Sequence, residues 1–153
     1  MPPIPNGAKV DEFGDFQTPT SLAKHVCKLL SNRGVVPASV LEPTCGIGNF
    51  LLAAVDQFPM TTTVLGVEIN TTYIEALKAS LRTSPHAEKI TLIQANFFQT
   101  DWPTVLAALP EPILVIGNPP WVTNSRLGVL RSTNLPRKSN FQNHNGLDAI
   151  TGK

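Results

Sequence analysis

The sequence predicts an α/β domain with one parallel sheet covered by helices on both faces. Three observations carry that class. Short apolar runs alternate with stretches of helical periodicity as far as Gly117, the order expected of strands joined by right-handed crossovers. A tight loop, Pro43-Thr44-Cys45-Gly46-Ile47-Gly48, stands between the first strand run and the helix that follows it. The length of 153 residues allows roughly two thirds of the unfolded surface to be buried, enough for a single core without metal or disulfide staples.

Residues 1–15 hold three prolines, two glycines and scattered charge without periodicity, and are expected to form a flexible arm. Thr18-Pro19 has the pattern of a cap followed by proline at the first helical position, and Leu22, Val26, Leu29 and Leu30 then recur at helical spacing up to Gly34. Ser39 to Glu42 is the first strand. Asn49 to Phe58 is helical by composition, with Pro59 as its stop. The alternation continues with a strand at Thr63–Glu68, a helix at Asn70–Arg82, a strand at Ile90–Gln94, a short helix at Thr104–Leu109 and a fourth strand at Ile113–Gly117. Residues 16–122 are thus expected to be the folded core, in part. From Thr123 the periodicity fails; residues 123–153, with a weak helix around Arg126 to Arg131, are expected to be a loop-rich segment leading toward a further carboxy-terminal part.

Composition excludes some functions and leaves others open. The formal charge of +1 is compatible with nucleic acid or with a small molecule, because a local basic strip can coexist with a neutral total. Cys27 and Cys45 show no paired or CxxC spacing, which favours a reduced setting. No apolar run approaches the roughly 18 residues that span a bilayer, and the first residues lack a signal-peptide core, so the expected localisation is cytoplasmic, away from membranes. His25, His86 and His144 lie far apart in different contexts, and no metal is expected.

Four segments carry chemistry. In "LEPTCGIGNF", Leu41 to Phe50, a strand ends in Glu42 and is followed by Gly46-x-Gly48 and a helix start. This is how α/β proteins bring backbone close to a nucleotide-like ligand, although paired glycines also make an ordinary strand-to-helix turn. Leu51 occupies the third glycine position of GxGxxG, which argues against a pyrophosphate ligand and a dehydrogenase. Glu68, the last residue of the second strand and 22 positions beyond Gly46, is placed to accept hydrogen bonds from ribose hydroxyls, against the plainer reading of a solvated strand end. Asn96 and Phe97 lie just beyond the third strand, where an amide and a ring can hold a purine; simple core packing is the competing reading for the phenylalanines. Asn118-Pro119-Pro120-Trp121 follows the fourth strand. Two prolines make a rigid turn that presents only carbonyls. With the Asn118 amide oxygen, that turn is a cluster of acceptors suited to an exocyclic amino group, and Trp121 offers a face for a stacked base.

In this order the segments resemble the S-adenosylmethionine-dependent methyltransferases that act on the exocyclic amino group of adenine in DNA. "GDFQTPTSLAKHV" resembles the family's amino-terminal cofactor motif, "LEPTCGIGNF" the glycine loop, "GVEIN" the ribose-binding acidic motif and "NPPW" the catalytic tetrapeptide. The order is that of the γ arrangement of restriction-modification enzymes, and the likeness runs from Gly14 to about Lys153. It implies a Rossmann-like class I methyltransferase fold ending after its fourth strand. It implies that Phe16, Gln17, Thr18 and Pro19 line the methionine end of S-adenosyl-L-methionine, that Glu42 holds the ammonium group, and that Thr44, Gly46 and Gly48 pass close to the cofactor. Glu68 would bind the ribose, Ile69 would pack on the adenine, and Asn96, where the family more often has Asp, would meet the adenine amino group beside Phe97. Asn118 and the Pro119 carbonyl would accept from the target amino group, with Pro120 completing the turn and Trp121 stacking on a base flipped from double-stranded DNA.

Arg126, Arg131, Arg137 and Lys138 are candidate phosphate contacts, or else solvated surface charges. Methylation of cytosine carbon 5 is disfavoured because Pro120, not cysteine, follows Pro119. Methyltransferases of RNA adenine or protein glutamine share Asn-Pro-Pro with an aromatic and form the enzyme alternative. Family members continue past NPPW with further strands and a target-recognition region, whereas this sequence stops at Lys153. The second expectation is therefore a noncatalytic or split-enzyme adenosylmethionine-binding fragment, whose partner is a second chain or a carboxy-terminal region carrying target recognition.

Overall fold

The computed structural model describes residues 17–119. Its elements are α1 (Thr20–Asn32), β1 (Ser39–Glu42), α2 (Asn49–Gln57), β2 (Thr63–Glu68), α3 (Thr71–Leu81), a 3-10 turn (Ala87–Lys89), β3 (Ile90–Gln94), α4 (Trp102–Ala107) and β4 (Ile113–Val115). The four strands are all parallel in the order β3-β2-β1-β4. Register is set by the apolar runs themselves, with Val40 opposite Val64 and Leu114, and Leu41 opposite Leu65 and Val115.

β1 lies between β2 and β4, and all four of its residues are buried. A strand covered on both faces reads as a continuous apolar run, and Val40 and Leu41 supply it. Each such side chain, once buried, contributes roughly 1.5–3 kcal/mol. Ser39 and Glu42 are the strand's polar residues, and the Ser39 hydroxyl donates to the Pro110 carbonyl at 2.7 Å, so it is not left as an orphaned donor. One face of the sheet is covered by α1 and α2 through Ala23, Cys27, Phe50, Leu51, Ala53 and Ala54. The other is covered by Leu109 with Trp102 and Val105, packed on Leu41, Leu65 and Val67.

The strands fall where the apolar runs predict them, with β4 ending at Val115 instead of Gly117. The ladder still reaches one step further, because the Ile116 N–H donates to the Leu41 carbonyl at 2.9 Å. The helices differ at their starts. Pro19 itself takes the N-cap place of α1, so the helix opens at Thr20. α4 begins at Trp102, not Thr104, because Asp101 caps it and Pro103 occupies the first turn. The face of α1 differs in part from the periodicity: Val26 and Leu30 pack against the core as it predicts, but the other two leucines do not. Leu22 and Leu29 are 50% and 46% exposed, and the fully buried positions are Ala23 and Cys27. The predicted weak helix near Arg126 to Arg131, the arm at residues 1–15 and the segment 123–153 lie outside the described residues.

Candidate active site at the carboxyl edge of the sheet

Strand order decides where a ligand can sit. The chain runs from β1 outward through β2 to β3, then returns to the opposite side of β1 for β4. The loop leaving β1 turns toward β2 while β4 lies on the other side of β1, which makes the carboxyl edge between β1 and β4 the topological switch point at which open α/β sheets bind ligands.

The glycine loop, residues 43–48, is fixed on the β2 side. The Cys45 N–H donates to the Val67 carbonyl at 2.8 Å, and the Gly46 N–H donates to Glu68 Oε2 at 2.7 Å. Glu68 Oε1 accepts from the Asn70 N–H at 2.8 Å. A carboxylate offers about four acceptor directions, so these two donors do not by themselves saturate it, and Glu68 is only half-buried. Gly46 and Gly48 have φ of +52° and +81°, a region that side chains with a Cβ rarely adopt.

Glu42 sits beneath the loop and is 3% exposed. Its Oε2 accepts from the Leu51 N–H at 3.1 Å. Burial pushes its pKa well above the ordinary carboxylate range; the Leu51 N–H opposes that shift and the nearby Glu68 charge adds to it. The thiols beside it are inert for the same reason. Burial, then Glu42, pushes Cys27 up to about 11, and burial followed by Glu42 and Glu68 raises Cys45 further. Neither is a thiolate at neutral pH, so neither is an activated nucleophile.

On the β4 side, Gly117 and Asn118 come back against the glycine loop. A Cβ built on Gly117 would lie 3.4 Å from Glu42 Cγ, and the Thr44 hydroxyl lies 3.4 Å from the Asn118 carbonyl. Asn118 is half-buried and Pro119 exposed. Beyond β3, the Asn96 side chain accepts from the Phe98 N–H at 2.9 Å, so its amide orders the turn that carries Phe97. Phe97 is half-buried, edge-on to Phe98 with centroids 5.2 Å apart and 5.3 Å from Trp102. It lies at the loop and not in the core. Ile69 is half-buried after β2.

Gln17, Thr18 and Pro19 reach the same loop from the amino-terminal side, where Gln17 Oε1 accepts from the Ile47 N–H at 3.3 Å. The candidates Gln17, Thr18, Pro19, Glu42, Thr44, Gly46, Gly48, Glu68, Ile69, Asn96, Phe97, Asn118 and Pro119 are thus carried by the loops and strand ends of this edge. Phe16, Pro120, Trp121, Arg126, Arg131, Arg137 and Lys138 lie outside the described residues. Two contributors were missed by sequence reasoning. Asn70 binds Glu68 through its backbone and caps α3 by accepting from Thr72 N–H at 2.9 Å; its Asx residue type at a helix start was the available signal. Asn49 bonds to Thr18 and Thr20, and no spacing rule could have shown that. Among the described residues, no cluster of three His, Cys, Asp or Glu side chains has the arrangement of a metal site, and no helix is long and apolar enough to cross a membrane.

A parallel sheet with a glycine loop after β1, an acidic residue ending β2 and a switch point between β1 and β4 is the doubly wound architecture that class I methyltransferases share with other nucleotide-binding domains. A provisionally assigned RNA methyltransferase of Pyrococcus horikoshii has it too, with a TM-score of 0.57 over 81% of this chain and 59% of that one at 17% identity, a likeness of fold. Residues 6–149 match the family described as N-6 DNA Methylase, and the chain belongs to that family. It is 48% identical over 142 residues to the Type II methyltransferase M.NspV of Nostoc sp. (strain ATCC 29411 / PCC 7524), and 26% identical over 124 residues to the Type II methyltransferase M.XamI of Xanthomonas campestris pv. amaranthicola. Those alignments cover 93% and 81% of this chain but 29% and 22% of the two relatives.

Proposed function

We propose that this chain binds S-adenosyl-L-methionine and transfers its methyl group to the exocyclic amino group of adenine in double-stranded DNA. The observation that carries the reading is the meeting of two loops at the switch point, Thr44 against Asn118 and Glu42 against Gly117. In this reading the glycine loop would hold the cofactor's nucleoside beside the amide and carbonyl acceptors of Asn118 and Pro119.

The residues present fit the cofactor. It is cationic at both its sulfonium and its ammonium, and the site presents Glu42 and Glu68, whereas residues 43–48, 95–98 and 117–119 contain no Lys or Arg. Gln17, Thr18 and Glu42 would hold the methionine end, the backbone of Gly46 and Gly48 would lie along the cofactor, Glu68 would take the ribose, and Ile69, Asn96 and Phe97 would receive the adenine. The bound cofactor supplies an electrophilic methyl group.

The chain's own work is alignment. The lone pair of an aromatic amine is delocalised into its ring, so the nitrogen is a poor nucleophile. Asn118 Oδ1 and the Pro119 carbonyl, accepting its two protons, would draw them out of plane and aim the lone pair at the methyl carbon. In this reading the two acceptors would be held in place before reaction and would need neither a metal nor a covalent intermediate. Trp121 would stack on the extruded base, and Arg126, Arg131, Arg137 and Lys138 would contact phosphates. A DNA substrate implies a cytoplasmic setting.

The test is calorimetric titration with S-adenosylmethionine, followed by methyl transfer to duplex DNA. Glu68→Ala is expected to weaken binding by roughly tenfold or more. Asn118→Ala is expected to leave binding near normal and to lower transfer by roughly 100-fold, the scale of one lost transition-state dipole. Transfer to RNA or to a protein glutamine, and not to DNA, would overturn the substrate assignment alone.

One observation favours a second reading, in which this length of chain binds cofactor but needs a partner for transfer. Among the described residues no strand pairs with the outer edge of β4, and Val115 there is 56% exposed. A second chain or a further region of the protein, carrying target recognition, would cover that edge.

A further inference from the structure

We propose that Asn49 is a positioning residue for cofactor binding, straps the segment Gln17–Thr20 to the glycine loop, and thereby holds the methionine side of the pocket in shape. This rests on the reading of the switch-point crevice as an S-adenosylmethionine site.

Asn49 is the first residue of α2, a place where an asparagine one position earlier would cap the helix. Here the N-cap is Gly48, in the left-handed region and with no side chain to contribute. The Asn49 amide is directed to the amino-terminal segment instead. Its Nδ2 donates to the Thr18 carbonyl at 2.7 Å, and its Oδ1 accepts from the Thr20 hydroxyl at 3.0 Å. Chemistry fixes this orientation, since a backbone carbonyl can only accept and must therefore face the nitrogen. The bonds join residues 31 and 29 positions apart.

A third contact continues the strap. Gln17 Oε1 accepts from the Ile47 N–H at 3.3 Å, and the Gln17 amide lies so close over Gly46 that a Cβ there would be 2.5 Å from Oε1. Three hydrogen bonds thus lay residues 17–20 across residues 46–49. The first core anchors of α1 are Ala23 and Cys27, so packing does not by itself fix the backbone of residues 17–19. Without Asn49 the binding-competent arrangement of the strap is populated for only a fraction of the time, and apparent affinity falls by that fraction.

The experiment is calorimetric titration of the 153-residue chain and its variants with S-adenosylmethionine, combined with amide hydrogen exchange of the free chain. Asn49→Ala is expected to bind roughly tenfold more weakly and Thr20→Val roughly threefold. The double variant should be no weaker than Asn49→Ala, because the Thr20 hydroxyl has already lost its acceptor. In free Asn49→Ala, the Ile47 amide should exchange faster while Ala53 and Ala54, in the core of α2, exchange as before. A structural role alone would slow or speed all of these together. Wild-type binding with unchanged affinity in Asn49→Ala overturns the strap and leaves the cofactor reading standing; absence of wild-type binding overturns both. Should Asn49→Ala fail to fold, Thr20→Val decides, and unchanged affinity in that variant overturns the strap.

Discussion

Glu42 holds its carboxyl group 3% exposed at the end of the central strand, with the Leu51 N–H donating to it. Burial raises its pKa in the folded chain above that of the unfolded chain. Below the ordinary carboxylate range both states keep the proton and Glu42 costs nothing. As pH rises through that range the unfolded chain releases its proton first, so stability declines until the raised folded value is passed. Glu42→Gln removes this decline while retaining an acceptor for Leu51. Its melting temperature is expected to match wild type near pH 4 and to exceed it at pH 7, by about 4 °C for each kcal/mol recovered, while S-adenosylmethionine binding weakens. Thermal melting across pH checks this; a gap that does not change with pH contradicts it. The glycines separate stability from binding. A Cβ at Gly48 would meet Leu77 Cδ1 and Cδ2 at 2.7 Å, and Leu77 is 1% exposed, so Gly48→Ala combines backbone strain with overpacking. It should cost roughly 2–4 kcal/mol in denaturant unfolding. A Cβ at Gly46 meets only the end of the Gln17 side chain, which can move away, so Gly46→Ala should cost about half as much and act mainly on affinity.

At the scale of elements, the strands were legible because each is a short apolar run whose length leaves little choice of boundary. The acidic residues ending β1 and β2 were legible for a related reason: a charged side chain after a buried run marks the sheet edge. The buried face of α1 was legible only in part. Of Leu22, Val26, Leu29 and Leu30, which share the helical spacing, Val26 and Leu30 pack against the core while Leu22 and Leu29 are exposed, and the fully buried positions are Ala23 and Cys27. Small residues there let α1 approach Ala53 and Ala54 of α2 closely, and periodicity weighs size in the wrong direction at such a contact. Cys27→Leu therefore tests the element: overpacking should lower stability by roughly 1–3 kcal/mol, whereas Leu29→Ala, at a 46% exposed position, should cost well under 1 kcal/mol. Equal costs in chemical denaturation would restore the periodic face. The start of α4 was readable and missed, since Asp101 with Pro103 is a cap-and-proline signature. Side-chain bridges such as Asn49 to Thr18 belong to tertiary geometry, and no local pattern carries them.

At the scale of the whole molecule, the sheet formed by the described residues has two unlike edges. β3 exposes Thr91 and Ile93 on one face and Gln94 at its end, and its polar residues Thr91 and Gln94 make it the more polar of the two edge strands. β4 is all apolar, Ile113-Leu114-Val115, and lies directly beside the fully buried β1. An apolar strand with an unpaired ladder is a template for another strand. This chain spans 29% of the Nostoc relative, so a comparison across lengths gives the test. In the 153-residue chain, Val115→Lys should leave the melting temperature within about 2 °C of wild type and reduce concentration-dependent association measured by light scattering, because a lysine on an edge discourages strand pairing. In a protein of the relative's length, where a further strand would cover β4, the same charge would be buried without a partner and should cost roughly 3 kcal/mol or more. Equal tolerance in both would mean that β4 is a solvent edge at the greater length too, and would remove the reason to expect a partner there.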